Sequence, residues 1–149
     1  MSAEKKIAEP LEVLNLVMRK QFAQEILEGK KKIEFRAFSE HYSSRLYDKE
    51  VLTYMKLHAN EPNILDECDP LREIHTIHFH NYDNTWFLDC ECELNDIVAV
   101  TDDDVKYLQD EYGCHDLDEQ LAQLKAVGED NRPMYFYFVI GKVINTNLQ

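Results

Sequence analysis

Residues 13–18, VLNLVM, form a short apolar run that reads as a buried strand. In the following segment, RKQFAQEILEG, the period changes. Phe22 and Ile26, with Ala23 and Leu27, fall at i,i+4 on one helical face. Gly29 stands where a helix C′ glycine belongs, because only glycine enters the left-handed region without a Cβ clash. The chain then alternates through GKKKIEFR, with Ile33 and Phe35 on one side and Lys32, Glu34 and Arg36 on the other. Ser39 opens SEHYSSRLYD as the N-cap of a short helix. VLTYMKLHA also alternates, Val51, Thr53, Met55 and Leu57 against Leu52, Tyr54, Lys56 and His58, and is read as a strand.

A turn-rich loop with Pro62 and Pro70 follows over residues 60–70. TIHFH and TWFLDCECEL are two more strands, joined by a turn at Asn81-Tyr82-Asp83-Asn84. In the second strand Trp86, Leu88, Cys90, Cys92 and Leu94 share a face, which makes the two cysteines core residues. Thr101 and Asp104 form a capping pattern for a helix that ends at Gly113, and Asp116 is the expected cap of a helix that stops at Gly128. The acids of these helices read as complements of the helix dipole and solvated faces rather than as ligands. The last strand, PMYFYFVIGKVI, is apolar on both faces and so belongs in a sheet interior, with Gly141 marking a bulge. Five to six strands with short flanking helices give an α+β fold, expected to curl into a small mixed β-barrel. Residues 1–11 read as a frayed tail and residues 12–149 as one domain.

The length of 149 residues fits a single domain, which at this size buries roughly 68–70% of its unfolded surface. No apolar run approaches the ~18 residues of a membrane span. The N-terminal residues lack the apolar core of an export signal, so the expected address is the cytoplasm. There the four cysteines, with no CxxC spacing, are expected to stay reduced. The net charge of −13 argues against long duplex DNA as a partner, since phosphate contacts supply most of that affinity. Locally the sign reverses: residues 19–36 hold six basic side chains against three acidic ones. A small positive spot on an acidic body suits a compact anionic or polar ligand.

Candidate chemistry centres on that spot. Glu34 and Arg36 share a face, two residues apart, and two readings stay open. One is a surface ion pair worth ~0–1 kcal/mol on a strand that lysines keep soluble. In the other, Arg36 and Lys31 bind a polar or anionic ligand in a cleft while Glu34 orients or titrates. Lys31 has the opposite parity and joins them only if the backbone after Gly29 is still turning. His78 and His80 share a strand face, but no third ligand follows at a diagnostic spacing, so neither a metal nor a cofactor is expected. Tyr82, Trp86, Tyr135 and Tyr137 are read as core aromatics before base-stacking ones. There is no GxSxG and no phosphate loop, and Cys114 follows Gly113 at the wrong end of a helix for a stabilised thiolate.

GKKKIEFR resembles the Gly-x-Lys-x-x-Glu-x-Arg signature of ASCH domains, relatives of the PUA fold, through Gly29, Lys31, Glu34 and Arg36. The flanks are similar too. A strand and helix precede the signature, SEHYSSRLY follows it, and an acidic helical insertion and an aromatic strand close the chain. The resemblance covers most of residues 12–145. It implies a PUA-like barrel with a cleft lined by the signature, Arg45 included, and a role in RNA or nucleotide metabolism. Some members of the family are amidohydrolases acting on N4-acylated cytidine and others have been assigned ribonuclease activity. For the amidohydrolase branch the resemblance implies a catalytic Lys31 and a helical glutamate matched by Glu111. Glu34 stands where that branch has a threonine, so a hydroxyl nucleophile of that kind is missing. Three functions follow as expectations. The first is a module binding RNA, a nucleotide or a modified nucleoside. The second is a small hydrolase with Lys31, Glu34 and Glu111 as its catalytic groups. The third is a protein-interaction domain using the acidic helices of residues 101–113 and 116–128. No membrane partner is expected.

Overall fold

The computed structural model describes residues 6–149. In chain order the elements are β1 (Leu11–Val17), α1 (Lys20–Leu27), β2 (Ile33–Ala37), α2 (Glu40–Leu46), α3 (Lys49–Leu57) and α4 (Ile64–Glu67). β3 (Ile74–His80), β4 (Phe87–Ala99), α5 (Asp102–Tyr112), α6 (Asp118–Ala126) and β5 (Met134–Thr146) complete the chain. The fold is α+β, built on one five-stranded mixed sheet ordered β1-β3-β4-β5-β2. Among the strand pairs of this sheet only β1–β3 is parallel.

The sheet is not the closed barrel expected from the strand count. β1 and β2 are both edge strands, and no backbone ladder joins them. Two arginines span the opening instead. Arg36 on β2 donates to the Val17 carbonyl at 2.9 Å, and Arg45 on α2 donates to the Asn15 carbonyl at 3.2 Å. Strand-edge carbonyls that a barrel would satisfy by pairing are here satisfied by guanidinium groups.

Two cores lie on opposite faces of the sheet, which is why β5 is apolar on both sides. Phe136, Phe138 and Ile140 join Leu14, Leu16, Ile77, Phe79 and Leu88 in the larger core, under α1. Tyr137 and Val139 join Ile33, Val98, Val105 and Leu108 in the smaller one, under α5 and α6. β2 follows the same division. Its Glu34 and Arg36 pair with Phe138 and Phe136, so they lie on the side of the larger core at the open seam rather than on a solvated face.

Several expectations change. Residues 51–57 are helical, not a strand. Asp48 caps α3 by accepting from the Glu50 and Val51 amides, and Val51, Tyr54 and Met55 pack together at helical spacing against Ile64 and Cys68. The apolar positions fit either period, and the cap decides. The loop of residues 60–70 contains the short helix α4. Leu117, not Asp116, is the cap position of α6. Leu94 is exposed because register shifts in the β4–β5 pairing break the alternation that begins at Trp86. Of the expected tail, residues 1–5 lie outside the described residues, while the Ala8 amide donates to Asp69 O and the Asp69 amide donates to Lys6 O. Among the described residues no helix is long and apolar enough to cross a membrane.

All four cysteines are free. Burial is the main force pushing the Cys90 and Cys92 thiols up to about 12. Because the folded chain holds these protons that the unfolded chain releases near 9.0, the associated stability is complete below that pH and is lost as pH climbs toward about 12. Stability should therefore fall steadily between about pH 9 and 11. A thiol reagent applied near pH 8 should leave Cys90 unmodified until denaturant is added. Rapid labelling of Cys90 in the native protein would contradict this.

Candidate functional site

The signature begins where α1 ends. Gly29 takes φ +76°, and the Lys30 and Lys31 amides both donate back to Glu25 O, so the backbone is still turning at Lys31. That turn cancels the parity difference. The Lys31 ammonium donates to Ile33 O at 3.0 Å and lies 3.2 Å from Glu34 Oε1. Arg36 grips the other carboxylate oxygen from two nitrogens, Nε at 3.2 Å and Nη2 at 2.7 Å. Its Nη1 donates to the Tyr42 hydroxyl at 3.1 Å.

Glu34 is 8% exposed, and a carboxylate that deep keeps its charge only if it is paired. Lys31 and Arg36 flank it as Lys–Glu–Arg, a net charge of +1. For Arg36, burial is the largest influence and disfavours the cation, but Glu34 and Tyr42 together outweigh it and the guanidinium is held above its ordinary value. Its hydrogen bonds to Glu34, Tyr42 and Val17 O direct the Nε, Nη1 and Nη2 atoms of Arg36 into the protein. Lys31 differs. Its ammonium donates one hydrogen bond, to Ile33 O, and forms an ion pair with Glu34, and its side chain lines open space.

That space is a two-lobed cleft. One lobe, of about 720 Å³, lies between the α1–β2 turn and residues 112–116, with Phe22, Lys30, Lys31, Lys32, Tyr112 and His115 in its walls. The other, of about 500 Å³, shares Gly29, Lys31, Lys32 and Tyr112 and adds Glu93, Glu111 and Gly141. Lys31 thus sits where the lobes meet, and Glu111 is brought into the same lobe. Arg45 is elsewhere: it lines a separate cleft beside Glu9 and Asp48. None of residues 60–70 lines either lobe.

Glu93 belongs to this site although its sequence pattern reads as plain strand polarity. Two irregularities converge on it. β5 carries an extra residue between the pairs Cys90↔Val143 and Cys92↔Ile140, and β4 carries one between Cys92↔Ile140 and Leu94↔Val139. These bulges turn the Glu93 side chain across β5, so close that a Cβ on Gly141 would lie 2.8 Å from Glu93 Cγ. Gly141, already conspicuous inside a strand, was the signal. Gly141→Ala should cost about 1–3 kcal/mol through that clash. In a double-mutant cycle followed by denaturant unfolding, Glu93→Ala should remove most of the penalty. An equal penalty in both backgrounds would show that Glu93 does not lie over Gly141.

Tyr112 contributes a ring shared by both lobes. The Tyr107 hydroxyl bond is the first cause and burial the second, with Glu111 and Glu93 adding to them, and its phenol is pushed up to about 12, so it is a neutral donor or stacking face at pH 7. Burial raises the Cys114 thiol above its ordinary value, so it is no nucleophile near neutral pH. Neither lobe is lined by a serine or threonine. Among the described residues no group of three or more His, Cys, Asp or Glu side chains could hold a metal ion. The acids of α5 and α6 are largely engaged within the chain. Asp104 accepts from the Ala99 amide, Asp102 pairs with Lys125 at 2.9 Å, and Asp118 accepts from Gln109 and His115.

No family model, curated protein or solved structure matches the chain.

Proposed function

We propose that the protein is an ASCH-like, PUA-related module that binds a nucleoside, a nucleotide or a short single-stranded RNA end in the cleft around Lys31. The observation that carries the reading is the placement of the Lys31 ammonium. A buried carboxylate pairs with it, a doubly bonded arginine anchors that carboxylate, and the lysine lines both lobes where they meet. Such an arrangement fixes a cation in one orientation, which is what recognition of a carbonyl or phosphate oxygen needs. Lys30 and Lys32 add positive charge on the phosphate side. Phe22 and Tyr112 offer flat faces for a base, and Glu93 and Glu111 can accept from its amino group. Arg36 acts through Glu34 in this reading, as a positioning residue rather than a ligand contact.

Lobes of this size suit one or two nucleotides, and the acidic surface beyond them repels a longer backbone. In calorimetric titrations a mononucleotide or nucleoside should therefore bind about as well as a hexanucleotide containing it. Affinity that grows steadily with RNA length would point away from this cleft.

Hydrolysis is a second reading, favoured by Lys31 and Glu111 lining one lobe. Without a serine or threonine in the walls, the nucleophile would be water activated by a carboxylate, with Lys31 facing the oxygen that gains charge. Release of acetate from N4-acetylcytidine, lost in Glu111→Gln, is the result that reading requires.

A further inference from the structure

The outward face of β3 carries a chemistry that the cleft does not use. His78 and His80 point to the same side of the strand, with ring centroids 5.3 Å apart and planes within 28°, while their neighbours Ile77 and Phe79 enter the core. Each ring is held through Nδ1. His78 Nδ1 contacts the Asp89 carboxylate directly across on β4, and His80 Nδ1 lies 2.8 Å from the Asn81 carbonyl. An ionised carboxylate and a backbone carbonyl can only accept, so each Nδ1 is the protonated nitrogen. In the neutral rings both lone pairs are therefore on Nε2. Phe87 stacks on His78 at 5.8 Å and fixes the plane of its ring.

A histidine whose Nδ1–H is tied to a carboxylate or carbonyl while Nε2 stays open is the arrangement found around metal-ligating imidazoles, where the outer partner sets the tautomer and raises basicity. We propose that His78 and His80 form a two-imidazole site for a divalent first-row transition-metal ion, with Asp89 and the Asn81 carbonyl as outer partners. An ion ~2.0–2.1 Å from each nitrogen requires the two Nε2 atoms to lie within about 4 Å of each other. No third side chain completes the set among the described residues, so the remaining positions belong to solvent or to a ligand from outside. Imidazole pairs of this kind favour Cu²⁺ over Zn²⁺. The site is independent of the Lys31 cleft.

The test is titration of the full chain with Cu²⁺, and then Zn²⁺, in a non-coordinating buffer, read by calorimetry and by the nitrogen hyperfine pattern of bound Cu²⁺. One ion per chain with two imidazole nitrogens is expected, with Zn²⁺ weaker and competing. His78→Gln and His80→Gln should each weaken binding at least tenfold, and Asp89→Asn by about 10–100-fold. Unfolding curves establish that each variant is folded. Binding unchanged in the His78→Gln/His80→Gln double variant would place the ion on another histidine or the N-terminal amine and overturn the proposal. So would the absence of saturable binding in the parent.

Discussion

Arg36→Ala should lower stability by about 3–5 kcal/mol and the midpoint of thermal unfolding by about 10 °C. The substitution removes one partner from a carboxylate that is only 8% exposed, leaving Glu34 to Lys31 alone. It also frees the Val17 carbonyl at the β1 edge and the Tyr42 hydroxyl, both of which Arg36 now satisfies. Leaving such groups unpaired costs more than the net worth of the bonds themselves. Arg36→Lys should recover only part of the loss, because one ammonium cannot reproduce the fork that reaches Glu34, Tyr42 and Val17 together. Urea unfolding gives the number directly. A loss below about 1 kcal/mol would mean that the open seam between β1 and β2 is held by packing, with the arginine incidental.

Lys31→Ala should have the opposite profile, with a modest effect on folding and a large one on binding. Glu34 keeps its doubly bonded arginine when the lysine is gone, so the carboxylate remains paired. Loss of the ion pair with Glu34 and of the hydrogen bond to Ile33 O should cost roughly 2 kcal/mol. In the cleft, however, the substitution removes the cation shared by both lobes. Ligand affinity should drop at least tenfold, while Lys32→Ala, on a side chain that is exposed and makes no pair with Glu34, should cost less. Equal losses in both variants would reduce the site to a general positive potential, without a positioned group.

Much of this architecture is legible in the chain. β1, α1 with Gly29, the β2 alternation, and the caps at Ser39 and Thr101 follow from local periodicity and capping chemistry. β5 can be recognised as interior from its two apolar faces. What escapes is set by long-range geometry. Alternation shows that Glu34 and Arg36 share a face, but not that this face looks inward across a seam to Val17. Strand count suggests closure, yet whether two edges pair depends on sheet curvature, which no local pattern encodes. Glu93 is hidden for a related reason. Each bulge shifts the strand by one residue, so a side chain assigned by parity to the solvated face is turned over Gly141 into the cleft. Val51 and Met55, at i,i+4, share a face in a helix and in a strand, and the period stays ambiguous until Asp48 is recognised as a cap.

The central claim is that the cleft at Lys31 holds a small ligand of nucleoside chemistry. Thermal unfolding of the parent and of Lys31→Ala, each with nucleosides, nucleotides, N4-acetylcytidine and short RNA, tests it most directly. A ligand at one hundred times its Kd adds about 2.7 kcal/mol, which for a chain of this length raises the midpoint by about 5–10 °C. The expected result is a shift with one small ligand in the parent and none in Lys31→Ala. A flat panel in the parent, or a shift of equal size in both proteins, would contradict the claim.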